Sequence, residues 1–120
     1  MTDPLDNEPG VLYTGQVILL QTEAFHDWLT GLRDRAARIR IDDRLIRLAR
    51  GHAGDTKSVG DGVRELRVHF GPGYRVYYMW HGEQLVLLLN GGDKGSQSRD
   101  IAKAKRLARE AEDGLESNPL

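Results

Sequence analysis

The chain has 120 residues, 39% hydrophobic and 29% charged, with a formal net charge of −1 and no cysteine. That size suits one domain built on a single core. The lack of cysteine excludes a disulfide scaffold, a thiolate zinc site and a thiol nucleophile.

Residues 1–10 hold two prolines and three acids and are expected to form a flexible acidic arm. One domain is expected over residues 11–112. No apolar run nears the roughly 20 residues of a membrane-spanning helix, and the acidic start lacks the features of a secretion signal. The expectation is a cytoplasmic chain with no membrane partner. All 17 Lys and Arg lie between residues 11 and 109, together with only 11 of the 18 Asp and Glu. That segment carries +6 while both ends are acidic. A basic body suits a polyanion-binding surface, and acidic ends also serve plain solubility.

From Tyr13 to Thr22 a β-prone run, centred on Val17, Ile18, Leu19 and Leu20, predicts one buried strand. Thr22 is a good helix N-cap, and Glu23 suits the first turn. Phe25, Trp28, Leu29 and Leu32 then recur at i, i+3, i+4 and i+7, the apolar face of an amphipathic helix. A second helix is predicted from about Asp34 to Arg50. Ala37, Ile41, Leu45 and Leu48 form its stripe, and Gly51 stops it. Arg33, Arg40, Arg44 and Arg47 recur on another side, a row that either binds RNA or is a solvated face.

Residues 51–63 hold four glycines and read as a loop. Arg64 to Phe70 alternates: Glu65, Arg67 and His69 point one way, Leu66, Val68 and Phe70 the other. Gly71-Pro72-Gly73 turns the chain into a strand from Tyr74 to Trp80. Arg75 and Tyr77 occupy one face of it, Val76 and Tyr78 the other. Gln84 to Leu89 is almost wholly apolar and predicts a central strand buried on both faces. Ser96 or Ser98 is placed to cap a last helix with Ile101, Ala104, Leu107, Ala108 and Ala111 on its apolar side. Residues 113–120 read as a flexible tail. The order β-α-α-β-β-β-α predicts an α+β fold. Its sheet is expected to be mainly antiparallel, with the helices packed on one face and the other face open.

On that open face the pattern gathers Glu65, Arg67, His69, Arg75 and Tyr77, with Lys57 leading in and Lys94 leaving the last strand. A carboxylate amid fixed cations suits phosphodiester chemistry. The cations meet charge building on phosphorus, and the carboxylate, a histidine or a lysine moves a proton. An RNA substrate brings its own 2′-hydroxyl nucleophile, so neither a metal nor a cofactor is required. The plainer account of Glu65 with Arg67 or Arg75 is a cross-strand ion pair. His26, His52, His69 and His81 share no metal-ligand spacing, so no metal site is expected. The run Gly91-Gly92-Asp93-Lys94-Gly95-Ser96 lacks the spacing of a phosphate-binding P-loop.

Several ordered fragments then combine. They are Phe25-x-x-Trp28-Leu29-x-x-Leu32-x-Asp34, Gly51-x-x-Gly54-Asp55-x-Lys57-x-Val59-Gly60-x-Gly62-Val63 and Glu65-Leu66-Arg67. Gly71-Pro72-Gly73-Tyr74-Arg75-Val76-Tyr77, Leu87-Leu88-Leu89-x-Gly91-Gly92-Asp93-Lys94 and Gln97-x-x-Asp100-Ile101-x-x-Ala104 follow. In these the stretch from Thr22 to about Ala104 resembles the RelE/ParE superfamily of bacterial type II toxins. Within it the stretch resembles the HigB-like addiction module killer proteins.

The resemblance implies the RelE/ParE-like β-α-α-β-β-β-α topology. It also implies a ribosome-dependent mRNA endonuclease, an mRNA interferase that halts translation by 2′-hydroxyl-mediated cleavage. Carried over, the catalytic positions are Glu65, Arg67, Arg75 and Lys94. Arg67 and Arg75 orient phosphate, Lys94 contacts the backbone and Glu65 is the candidate general base. Lys57, Tyr77 and His81 are the RNA-binding candidates. The implied partners are the ribosome and mRNA, and a cognate antitoxin of the helix-turn-helix DNA-binding kind, through which alone operator DNA is reached. Two alternatives remain open. One is a non-catalytic toxin acting on a protein such as DNA gyrase. The other is an inactive toxin that only binds its antitoxin.

Overall fold

The computed structural model describes residues 10–117. Of the expected acidic arm only Gly10 is described, and residues 118–120 of the expected tail likewise lie outside the described residues. The strands are β1 (Gly10–Tyr13), β2 (Ile18–Gln21), β3 (Thr56–Gly60), β4 (Val63–Val68), β5 (Tyr74–His81) and β6 (Leu85–Asp93). The helices are α1 (Glu23–Gly31), α2 (Arg35–Ala49) and α3 (Gln97–Ser117), the last preceded by a 3-10 turn over Lys94–Ser96.

One mixed sheet has the order β1-β2-β6-β5-β4-β3. The β4-β5-β6 meander is antiparallel, as its short turns predict. β2 lies parallel to β6, because α1 and α2 intervene and return the chain to the central strand's other side. Two segments differ from expectation. The single strand expected from Tyr13 to Thr22 is a hairpin of β1 and β2. The glycine-rich segment read as a loop contains β3, paired with β4. Sparse side chains hide that strand in the sequence, because Thr56 to Gly60 buries little and carries no apolar alternation.

Local chemistry sets the helix ends. The Thr22 hydroxyl accepts the Phe25 N–H at 3.0 Å, and the Asp34 carboxylate accepts the Ala37 N–H at 3.1 Å. α2 ends in a Schellman arrangement. The Gly51 N–H donates to the Leu48 carbonyl and the His52 N–H to the Arg47 carbonyl, with Gly51 at φ +91°. The start of the last helix is held differently from the serine cap expected. The Asp93 carboxylate accepts the N–H groups of Gly95 and Ser96, which shapes the turn that leads into α3.

The apolar stripes of α1 and α2 pack on one sheet face. Phe25, Leu29, Ile41, Leu45 and Leu48 meet Leu66, Val76, Tyr78, Val86 and Leu88 there. The expectation that all helices share that face, leaving the other open, is overturned. α3 covers the second face and builds a second core from Val63, Tyr77, Met79, Leu89, Ala104 and Ala108. Its amphipathic side demanded a partner, and β4 to β6 supplied it. Four successive buried residues on β5, Val76 to Met79, are the sequence signal for this two-sided burial.

Candidate active site

The β-ladders place the polar residues of β3 to β6 in two neighbouring rungs on the α3 side. Lys57 pairs with Glu65, Glu65 with Tyr77, and Tyr77 with Asn90. In the next rung Arg67 pairs with Arg75, and Arg75 with Gly92. Cross-strand neighbours on one face sit about 5 Å apart, so the two arginines stand side by side.

Glu65 organises them. Its side chain is 0% exposed. One carboxylate oxygen accepts the Gln97 Nε2 amide at 2.8 Å, and the other accepts Arg75 Nη1 at 3.4 Å, with Arg67 Nε 3.9 Å away. A buried carboxylate is costly unless paired and hydrogen-bonded, and these three groups supply that pairing. Tyr77, also 0% exposed, lies beside it. Burial, and then the negative charge of Glu65, holds its phenol well above the ordinary tyrosine value.

At the open end of these strands lies a groove of about 360 Å³. Arg67, His69, Gly71, Gly73, Arg75 and Lys94 are among the residues that line it. The Gly-Pro-Gly turn forms one wall, and the Lys94 N–H donates to the Gly73 carbonyl, tying the end of β6 to that turn. The glycine pair at the end of β6 makes the site compact. A Cβ on Gly91 would fall 2.3 Å from the Trp28 ring of α1, and one on Gly92 would collide with the Asp100 carboxylate of α3. Asp100 accepts a hydrogen bond from Ser96, and its backbone carbonyl accepts the Asn90 amide at 3.0 Å.

A second cluster borders the groove. Asp55, just before β3, contacts His69 Nε2 with one carboxylate oxygen and lies 3.5 Å from Arg67 Nε with the other. The His69 hydrogen bond, aided by the Arg67 charge and opposed by partial desolvation, holds the Asp55 carboxyl below the usual range. From α2, Arg44 donates to the carbonyls of Arg67, Ala53 and Asp55. Arg40 lies over the Phe70 ring at 5.1 Å, and Arg47 pairs with Asp43 at 3.2 Å. Arg44 therefore braces the fold. For that residue this replaces the solvated face the sequence allowed, whereas Arg40 and Arg47 stay exposed.

Of the residues expected at the site, Arg67, Arg75 and Lys94 line one groove. Glu65 and Tyr77 lie buried beneath it. Lys57 is exposed one rung away, opposite Glu65. His81 ends β5, six residues from Arg75 and so about 20 Å along the strand. Gln97, Asp55 and Arg44 are the participants that sequence reasoning missed. Gln97 and Asp55 stand within the fragments quoted above, whereas Arg44 had only its helical spacing as a signal. Among the described residues no group of three His, Asp or Glu side chains could hold a metal ion.

The molecule is thus an α+β domain whose mixed sheet, covered by helices on both faces, opens an arginine-lined groove at one end. It belongs to the phage-derived Gp49-like family, whose model, described as Phage derived protein Gp49-like (DUF891), matches residues 27–111. That family is toxin-like, of the RelE/HigB type. The chain is also similar to an uncharacterized protein of Haemophilus influenzae, with 48% identity over 89 residues covering 74% of this chain and 90% of that protein. Among the described residues no helix is long and apolar enough to cross a membrane.

Proposed function

We propose that the protein is the toxin of a type II toxin-antitoxin pair, of the HigB-like branch, and that it cleaves mRNA on the ribosome. The observation that carries the reading is the side-by-side placement of Arg67 and Arg75 at the groove, with Lys94 in the same lining. Guanidinium groups bind phosphate oxygens through paired N–H donors, and two of them fixed on adjacent strands are preorganised for a phosphodiester. Glu65 serves as their anchor. Its oxygens are engaged by Gln97 and Arg75 and it has no exposed surface, so it is not placed to take a proton from a substrate. Lys57 extends the cationic track one rung along the sheet, where an RNA strand leaving the groove would pass. Tyr77 supports the site from below, and His81 lies outside it.

The family match supports the toxin half of this reading. The partner in it is an antitoxin whose acidic groups neutralise the groove, and the cytoplasm, where ribosomes are met, is its compartment. A purified translation reaction with a defined message tests the function. Cuts within the ribosomal A-site codon that need both ribosomes and protein are expected, and Arg75→Ala is expected to abolish them, with circular dichroism checking that the destabilised variant is still folded at the assay temperature. A message that stays intact with the wild-type protein would overturn the reading. Cleavage undiminished in Arg75→Ala would remove the groove from it.

A further inference from the structure

Cleavage by a 2′-hydroxyl needs a group that accepts its proton, and the groove offers few. The guanidinium groups of Arg67 and Arg75 do not deprotonate in proteins. The Tyr74 phenol, also in the lining, is held above its ordinary value by burial and then by the Asp34 and Asp93 carboxylates, and a neutral phenol is a poor base. Glu65 is closed off. His69 remains. Its side chain is 74% exposed and lines the groove beside Arg67. Imidazole is the one side-chain class whose unperturbed charge change falls near neutrality.

His69 is also held as a proton-transfer group needs to be. Its Nε2 contacts the Asp55 carboxylate, which leaves Nδ1 for a substrate. Asp55 is itself fixed: its carbonyl accepts the Arg67 N–H at 3.0 Å and Arg44 Nη2 at 3.3 Å. The charged groups around the imidazole are therefore Asp55 before β3, Arg67 on β4, Arg75 on β5, Lys94 after β6, and Arg44 reaching in from α2. One is an anion on the imidazole, and four are cations placed for phosphate or for the supporting backbone.

We infer that His69, oriented by Asp55, is the proton-transfer residue of the groove, acting on the 2′-hydroxyl of an RNA strand bound at Arg67 and Arg75. The inference rests on the endonuclease reading above. Nδ1 accepts the 2′-hydroxyl proton. The O2′ electron pair forms the new bond to phosphorus, and the P–O5′ bond breaks. The leaving O5′ takes a proton from the Lys94 ammonium or from water. The products are a 2′,3′-cyclic phosphate and a 5′-hydroxyl end. Asp55 is a positioning residue: it keeps the proton of neutral His69 on Nε2 and stabilises the imidazolium once formed, as a carboxylate does for a catalytic histidine in general.

The test is single-turnover cleavage of a ribosome-bound message by the full chain, with product ends mapped. His69→Ala is expected to cleave at least about 100-fold more slowly, the usual range for loss of a general base, with binding to the programmed ribosome retained. Added imidazole is expected to restore part of that rate. Asp55→Asn is expected to slow cleavage by at least about tenfold, since the tautomer and orientation of the imidazole are no longer held while the base is kept. His52→Ala, on an exposed loop away from the groove, serves as the control. His69→Ala cleaving within threefold of wild type would overturn the inference and leave the endonuclease standing. Loss of cleavage that imidazole does not restore would also overturn it, since His69 would then serve only to hold Asp55 and Arg67. A wild-type protein that leaves the message intact would defeat the endonuclease reading, and this inference with it.

Discussion

Glu65 is the residue on which the groove's geometry turns. Removing its carboxylate leaves Arg75, whose side chain is only 12% exposed, with an unpaired buried charge and leaves the Gln97 amide without its acceptor. Glu65→Ala is expected to cost about 3–5 kcal/mol in urea denaturation, the range for breaking a buried pair from one side. The double variant with Arg75→Ala is expected to lose less than the two single losses added together, because the stranded charge goes too. Full additivity would show that the pair is not coupled. Tyr77 makes a prediction about pH. Its phenol keeps its proton in the fold where the unfolded chain releases it, near pH 10. The unfolded state then binds fewer protons, so stability is full below about pH 10 and falls as pH rises beyond it. Denaturation midpoints measured from pH 9 to 11.5 are expected to drop less in Tyr77→Phe than in wild type. Equal drops in the two proteins would contradict this.

At the scale of elements, the close approach of both helical layers to the end of β6 decides how tightly the site is built. Gly91 touches the Trp28 ring of α1, and Gly92 faces Asp100 of α3. Just before these glycines β6 carries a bulge: Tyr77 pairs with Asn90 and Tyr78 with Leu88, so Leu89 has no opposite residue. The extra residue lets Leu89 join the second core while Asn90 reaches the Asp100 carbonyl. Gly91→Ala is expected to lose about 1–3 kcal/mol through overpacking. Trp28→Ala in the same chain is expected to return part of that loss, because it removes the ring the new methyl group meets. Thermal unfolding of the three variants measures this. A loss unchanged by Trp28→Ala would place the clash elsewhere.

At the scale of the whole molecule, charge is concentrated more than the net value of −1 suggests. Three cations, Arg67, Arg75 and Lys94, meet at the groove, and the one carboxylate between the arginines is buried. Each phosphate contact to a single strand releases counterions and adds about −0.7 to the slope of log affinity against log salt. Binding of a short single-stranded RNA is therefore expected to show a slope of about −2, and Arg75→Ala a slope shallower by about 0.7. Fluorescence anisotropy across a salt series reads both. A slope that Arg75→Ala leaves unchanged would mean the strand is bound elsewhere.

The sequence by itself determined most of the elements and their chemistry. The 3.6-residue stripes of α1 and α2, the caps at Thr22 and Asp34, the stop at Gly51 and the β4-β5-β6 meander are local signals, and local physics realises them. The two-residue alternation also put Glu65 and Arg67 on the same side of β4, opposite Arg75 and Tyr77 of β5. Only the tertiary structure decided what covers that side. Alternation separates two faces of a strand, yet it does not say which face a distant helix will take. α3 needed apolar partners and found them around Tyr77 and Leu89, so Glu65 became buried instead of exposed. The same long-range packing drew Arg44 across from α2 to the Arg67 and Asp55 carbonyls and set His69 against Asp55. Those pairings join residues 11 to 23 positions apart, a distance at which no local propensity acts.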